Sequence, residues 1–156
     1  MRRSTLLVML SLCALTLLPP AAGAAIKLGR SIKHIRIGQT QAQVDRLNGT
    51  PLASIRSTGP LGARLILRYP EVEVTFDGGN RVTGLMTTSR RQRTARNVGV
   101  GSRKRAVRKA HKHARCDRGP AGVCTIGRKR PKVGQKITTF VFSKKRVVSV
   151  EIIKIL

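Results

Sequence analysis

The 156-residue chain has no Trp, one Tyr and three Phe, which excludes a large aromatic core. Acids are as scarce. Six Asp and Glu with three His leave little material for acid–base catalysis, and the close carboxylates are Glu71, Glu73 and Asp77. Alternation places these three on the solvated side of one strand, where Arg64, Arg68 or Arg81 of neighbouring strands can meet them; such pairs contribute about 0.2–1 kcal/mol. No Gly-x-Ser-x-Gly turn or P-loop occurs. Gly99 and Gly101 precede a helix but follow no clear buried strand, a weak phosphate-cradle signal. No catalytic, cofactor or metal residue is therefore assigned, and a non-enzyme is expected. An unrecognised extracellular hydrolase remains the alternative.

Long apolar runs are missing except at the N-terminus, where Arg2 and Arg3 precede Leu6 to Leu18, then Pro19-Pro20 and the small residues Ala21 to Ala25. That order is expected of a secretory signal peptide over residues 1–25. The run is shorter than the roughly 20 residues that span a bilayer, and Cys13 lies inside it, which argues against a lipid-bearing N-terminal Cys. A secreted or cell-envelope location is expected, without a transmembrane anchor after cleavage. The remaining 131 residues hold 30 of the 32 bases and all six acids, so the excess charge belongs to the exported part.

Cysteine is sparse too. Outside the leader only Cys116 and Cys124 occur, and in an oxidising compartment a close pair is most simply a disulfide. Closing so short a loop contributes about 2.5 kcal/mol in the chain-entropy picture. The rival reading is a metal site of His111, His113, Cys116 and Cys124. Its spacing departs from the Cys pairs two to four residues apart that mark structural zinc.

The hydrophobic pattern runs through one plan twice. In the first pass Thr40 and Gln43 form a capping box, Val44 and Leu47 share a helical face, and Asn48-Gly49-Thr50-Pro51 ends the helix. Strands are expected at Ala53 to Ser57, Arg64 to Tyr69, Glu71 to Asp77 and Arg81 to Thr88, with Val72, Val74 and Phe76 facing inward. In the second, Val98-Gly99-Val100-Gly101-Ser102 leads into a helix reaching about Ala114. Short strands around Cys116 and Cys124 follow, then Lys136 to Ser143 and Arg146 to Ile155. Gly38 matches Gly101 and Val44 matches Val107 at 63 residues, Phe76 matches Phe142 at 66, and Arg81-Val82 matches Arg146-Val147 at 65. The expected fold is α+β: two similar units, residues 26–88 and 98–156, each a short helical segment on an antiparallel sheet. A basic, exposed connection, residues 89–97, joins them in tandem.

Ile37-Gly38-Gln39-Thr40-Gln41-Ala42-Gln43-Val44 followed by Leu47-Asn48-Gly49-Thr50-Pro51 resembles the Gly-x-Thr helix start and Leu-Gly-x-Pro exit of a known family. These are the exported helix-plus-sheet repeat proteins typified by the β-lactamase inhibitory protein, related in plan to the small outer-membrane lipoprotein A group. The tandem order, Cys116 and Cys124, and the hairpin from Thr139-Phe140-Val141-Phe142 to Arg146-Val147 extend the likeness. The chain is also similar to short actinobacterial secreted proteins with Arg-Thr before a Gly-Val-Gly-Ser step, here Arg93-Thr94 and Gly99 to Ser102. The resemblance implies a binding or inhibitor-like scaffold whose helices cover one sheet face and leave the other for a protein partner. No inhibitory residue is carried over.

What the chain has in excess is positive charge, +26 formally. Arg103-Lys104-Arg105, Arg108-Lys109, Lys112, Arg115 and Arg118 surround the second helix, and Arg128-Lys129-Arg130-Pro131-Lys132 and Lys144-Lys145-Arg146 form two further runs. Lys104, Arg108, Lys112 and Arg115 are expected along one side of the helix, away from Val107. With Arg128, Lys129 and Arg130 they are the candidate polyanion-binding residues. Such a surface suits an extracellular polyanion: wall polymer, acidic glycan, anionic lipid or released nucleic acid. Sequence-specific nucleic-acid reading is not expected, since no docking motif occurs and rings for stacking are few. The function expected is exported, non-enzymatic binding through a strongly basic surface. A structural envelope protein adhering to anionic wall polymers is the runner-up.

Overall fold

The computed structural model describes residues 25–59 and 62–156, so the expected leader lies, but for Ala25, outside the described residues. The fold is α+β and mostly sheet. Strands β1 (Ile26–Lys27), β2 (Ser31–Ile32) and β3 (Ile35–Arg36) form a small antiparallel sheet, and helix α1 (Gln41–Asn48) follows. Next come β4 (Ala53–Gly59), β5 (Gly62–Tyr69), β6 (Val72–Phe76) and β7 (Val82–Thr87). After the connection come α2 (Lys104–Ala110), β8 (Arg115–Cys116), β9 (Gly122–Ile126), β10 (Lys136–Ser143) and β11 (Arg146–Lys154). Strands β4 to β11 make one antiparallel sheet in the order β4-β5-β6-β7-β11-β10-β9-β8. The two chain-consecutive sets therefore run outward in mirrored order from the β7–β11 seam, where Met86 faces Glu151.

Alternation decides which face is covered. Val72, Val74 and Phe76 of β6 and Phe140 and Phe142 of β10 are buried together with Leu67, Tyr69, Leu85, Val150 and Ile152. Val44 of α1, Val107 of α2 and Ile32 and Ile35 of the small sheet join the same cluster. Tyr69 donates its hydroxyl to the Asp45 carboxylate and so ties α1 to β5.

Each helix starts from a Gly in the left-handed region, Gly38 at φ 94° and Gly101 at φ 86°, where a side chain would be strained. At the first, Gly38 N–H donates to the Val82 carbonyl at 2.8 Å, Val82 N–H to Gln39 at 2.9 Å, and Gln41 N–H to Asn80 at 3.0 Å. At the second, Gly101 N–H donates to Val147 at 2.8 Å, Val147 N–H to Ser102 at 2.9 Å, and Lys104 N–H to Lys145 at 3.0 Å. Arg81 and Arg146 then each return a guanidinium to the carbonyl of that Gly, at 3.2 and 3.0 Å. Register shifts also fall alike, between Thr75 and Phe76 and between Val141 and Phe142.

Several expectations need correction. The second helix ends at Ala110, not Ala114, because His111 leaves helical geometry with φ −128° and ψ 85°. Its N-cap is Arg103, with no side-chain cap, because the Ser102 hydroxyl is spent on Gly99 N–H and Arg93. The capping box of α1 forms as expected, with Gln43 N–H on Thr40 Oγ1 at 3.4 Å and Thr40 N–H on Gln43 Oε1 at 3.0 Å. Leu47 does not share the buried face of Val44; it is 51% exposed. The connection is exposed at Arg90, Arg91 and Ala95 to Asn97 but buried at Gln92 and Thr94, where Ile26 N–H reaches the Arg93 carbonyl at 2.9 Å.

Candidate polyanion-binding groove

A groove of about 1100 Å³ lies between α2 and the β10–β11 turn. The helix and its N-terminal flank supply Arg103, Lys104, Arg105, Arg108 and Lys109; the turn after it supplies Lys112. Lys144, Lys145 and Arg146 form the facing wall, and no acid lines the groove. Guanidinium groups stay charged at any physiological pH, so the groove holds a standing positive potential that attracts anions and repels cations.

Not every base there is free. The Lys104 ammonium is held by the carbonyls of Asp117 and Gly119, the latter at 3.1 Å, and sits 5.7 Å from the Phe142 ring centre. It braces the 117–119 loop against the helix. Arg105, Arg108, Lys109 and Lys112 are exposed.

The facing wall is unusual. Lys144 and Lys145, at φ 47° and 65°, are the two central residues of a hairpin turn between Ser143 and Arg146. Turns of this kind favour Asn-Gly, and a left-handed conformation costs an ordinary side chain about 1–2 kcal/mol. Two adjacent lysines there are strained, mutually repulsive, and aimed at more positive charge. Residues in such conformations cluster at functional sites.

Of the residues expected to bind polyanions, Lys104, Arg108 and Lys112 share this groove. Arg115 does not lie on the helix; it opens β8 and donates to the carbonyls of Gly127 and Arg128, both at 2.7 Å. With Arg128 and Lys129 it lines a separate hollow of about 320 Å³. Arg130 is exposed beside them. Sequence reasoning placed Arg103, Arg105, Lys109 and Lys144 to Arg146 in basic runs without bringing them to one site, because their convergence depends on the β10–β11 turn meeting the start of α2.

Cys116 and Cys124 are joined in a disulfide across β8 and β9. Their sulfurs are spent on each other rather than on a metal. The three close carboxylates have separate partners. Glu71 precedes β6 at φ 71° and accepts from Ser89 Oγ at 3.0 Å and Gln92 Nε2 at 2.7 Å, anchoring the connection. It thus leaves the strand face expected for it. Glu73 pairs with Arg68 at 3.2 Å, and Asp77 accepts the N–H groups of Gly79 and Arg81, both at 3.0 Å.

Among the described residues two titrations are displaced. Burial, then the hydrogen bond and charge of Asp45, push the Tyr69 hydroxyl far above its ordinary range. Burial, then Arg96, lowers the pKa of His111, whose ring lies 5.9 Å from that of Phe140.

The charge is also unevenly spread. Residues 98–156 hold 17 bases against two acids, whereas residues 26–88 hold nine against four. Over similar lengths the second stretch thus carries a formal +15 and the first +5. Among the described residues no helix is long and apolar enough to cross a membrane. No protein family, curated protein or solved structure matches this chain.

Proposed function

We propose that the protein is an exported, non-enzymatic binding module in which the groove between α2 and the β10–β11 turn holds an extracellular polyanion. The observation that carries this reading is the groove itself: nine bases converge without an acid. Two of them occupy a strained turn where neutral residues would be more stable. The chain is read as two similar units in tandem, supported by the matched hydrogen bonds at Gly38 and Gly101 and by the mirrored strand order. That plan accords with a helix-plus-sheet inhibitory scaffold. The disulfide and the N-terminal sequence support action outside the cytoplasm.

Binding here is electrostatic. Exposed charges are screened over about 8 Å at physiological ionic strength, so affinity falls steeply with salt. Retention on an immobilised polyanion tests the proposal: Arg105→Gln/Arg108→Gln/Lys109→Gln elutes at clearly lower salt than the parent. Unchanged elution places binding elsewhere.

A second reading, a protein partner, is favoured by one row on the open sheet face. There Ile55, Ile66, Thr75, Gly84, Ile153 and Ile137 stand opposite one another across six strands, with Ile55 50% and Ile153 38% exposed. Ile153→Asp, which puts a charge into the apolar row, abolishes binding if this row is the contact and leaves it intact if the groove is.

A further inference from the structure

We infer that the groove is one end of a continuous track for a linear, flexible phosphodiester chain, read through its backbone alone. The inference rests on the polyanion reading above and deepens it. The groove shares Lys104, Arg108, Ala114 and Gly119 with a second hollow that also includes Arg118. The second shares Cys116 and Asp117 with the hollow lined by Arg115, Arg128 and Lys129. The path therefore leads from the β10–β11 turn past α2 and around the edge strand β8 at Cys116 to the far end of β9. Asp117 is the acid on it, and its carboxylate accepts Val123 N–H at 3.0 Å.

Three features select the ligand. A path of successive hollows suits a chain better than a single small anion, because each further charge engaged adds its own counterion release. Donors stand on two facing walls of the groove, Arg105 and Arg108 on one and Lys144 and Lys145 on the other. In a phosphodiester the charge lies in the chain itself and passes between both walls, whereas the carboxylates of an acidic peptide hang on flexible side chains whose ordering costs entropy. Finally, no Tyr, Phe or Trp ring is offered to a nucleobase. Tyr69, Phe76, Phe140 and Phe142 are the chain's only Tyr and Phe, Trp being absent, and all are buried, at most 3% exposed. Each stacked base would add about 1–3 kcal/mol, a factor of roughly five or more. Cys116 belongs to both the second and the third hollow, so β8, held to β9 by the disulfide, forms the sill between the ends of the track.

The test uses the folded disulfide-bonded protein with glycerol-phosphate oligomers, oligodeoxythymidylates and oligoglutamates, each as trimer and dodecamer. Phosphodiester dodecamers bind at least roughly tenfold tighter than trimers, and the glycerol-phosphate and thymidylate series agree within about twofold. Oligoglutamates bind more weakly than either. Arg128→Gln/Lys129→Gln lowers affinity for the dodecamers and spares the trimers, while Arg105→Gln/Arg108→Gln weakens both. Cys116→Ser/Cys124→Ser removes most of the length dependence; the charge variants carry the test if it fails to fold. Length-independent affinity, much tighter thymidylate binding, equal oligoglutamate binding, or dodecamers indifferent to Arg128 and Lys129 each overturn the track. If no anionic polymer binds at all, the polyanion reading itself fails; if all bind without length dependence, the track alone fails.

Discussion

The two helix–hairpin junctions share a backbone arrangement and differ in charge. Around α1 the same helix, flank and turn positions present Arg46 and Arg81 with the acid Asp45, and the turn is Gly78-Gly79-Asn80. Around α2 they present nine bases, and the turn is Lys144-Lys145. A scaffold that tolerates a nearly neutral junction at one end has no structural need for a strongly cationic one at the other. The excess at α2 is thus a property added to the scaffold, and substitutions can separate the two.

The largest expected effect concerns what the junctions share. Phe76→Ala and Phe142→Ala each remove a buried ring beside a matched register shift. Each should lower stability by about 3–5 kcal/mol in denaturant unfolding, and by similar amounts. A large loss at one and a negligible loss at the other would break the likeness between the junctions.

Next comes the turn. Lys144→Asn/Lys145→Gly relieves two left-handed side chains and removes mutual repulsion, and should raise stability by about 1–2 kcal/mol while weakening polyanion binding. A gain in one with a loss in the other is the signature of strain kept for function. The caps give a smaller contrast: Thr40→Ala should cost about 1 kcal/mol and Arg103→Ala less than about 0.5 kcal/mol, since Arg103 makes no side-chain cap.

The smallest expected effect is a pH dependence. His111 has a folded pKa below its ordinary value, so the fold disfavours the charged ring. Its contribution is complete above pH 6.5, the ordinary value, and is lost as the pH falls below it. His111→Asn, which installs the residue found at the end of α1, should flatten the acid limb of stability against pH. An unchanged limb assigns it to other groups.

Most strands were legible within a residue or two, because alternation in Val72 to Phe76 or Lys136 to Ser143 is long enough to carry a period. Strands β1 to β3 were not, since two residues have no period; only the backbone pairing of Ile26 with Ile32 and of Ile32 with Ile35 reveals them. The end of α2 was misread because His111-Lys112-His113-Ala114 contains neither Gly nor Pro. That error put Arg115 on the helix stripe, when it opens a strand and braces a loop. The bases of the groove were visible as runs, yet their meeting depends on a hairpin turn 40 residues further along the chain from Lys104 to Lys144.

Everything turns on whether charge acts at one place or merely as a total. The direct measurement is log affinity for a phosphodiester dodecamer against log salt for three proteins: the parent, Arg105→Gln/Arg108→Gln/Lys109→Gln, and Arg36→Gln/Arg46→Gln/Arg56→Gln. Both variants lose the same charge from exposed positions. The account predicts that the groove variant binds more weakly, with a slope shallower by about 2, from roughly 0.7 per lost phosphate contact, while the other keeps the parent's affinity within about twofold. Equal losses in both variants would contradict it, since binding would then follow net charge and the groove would have no special role.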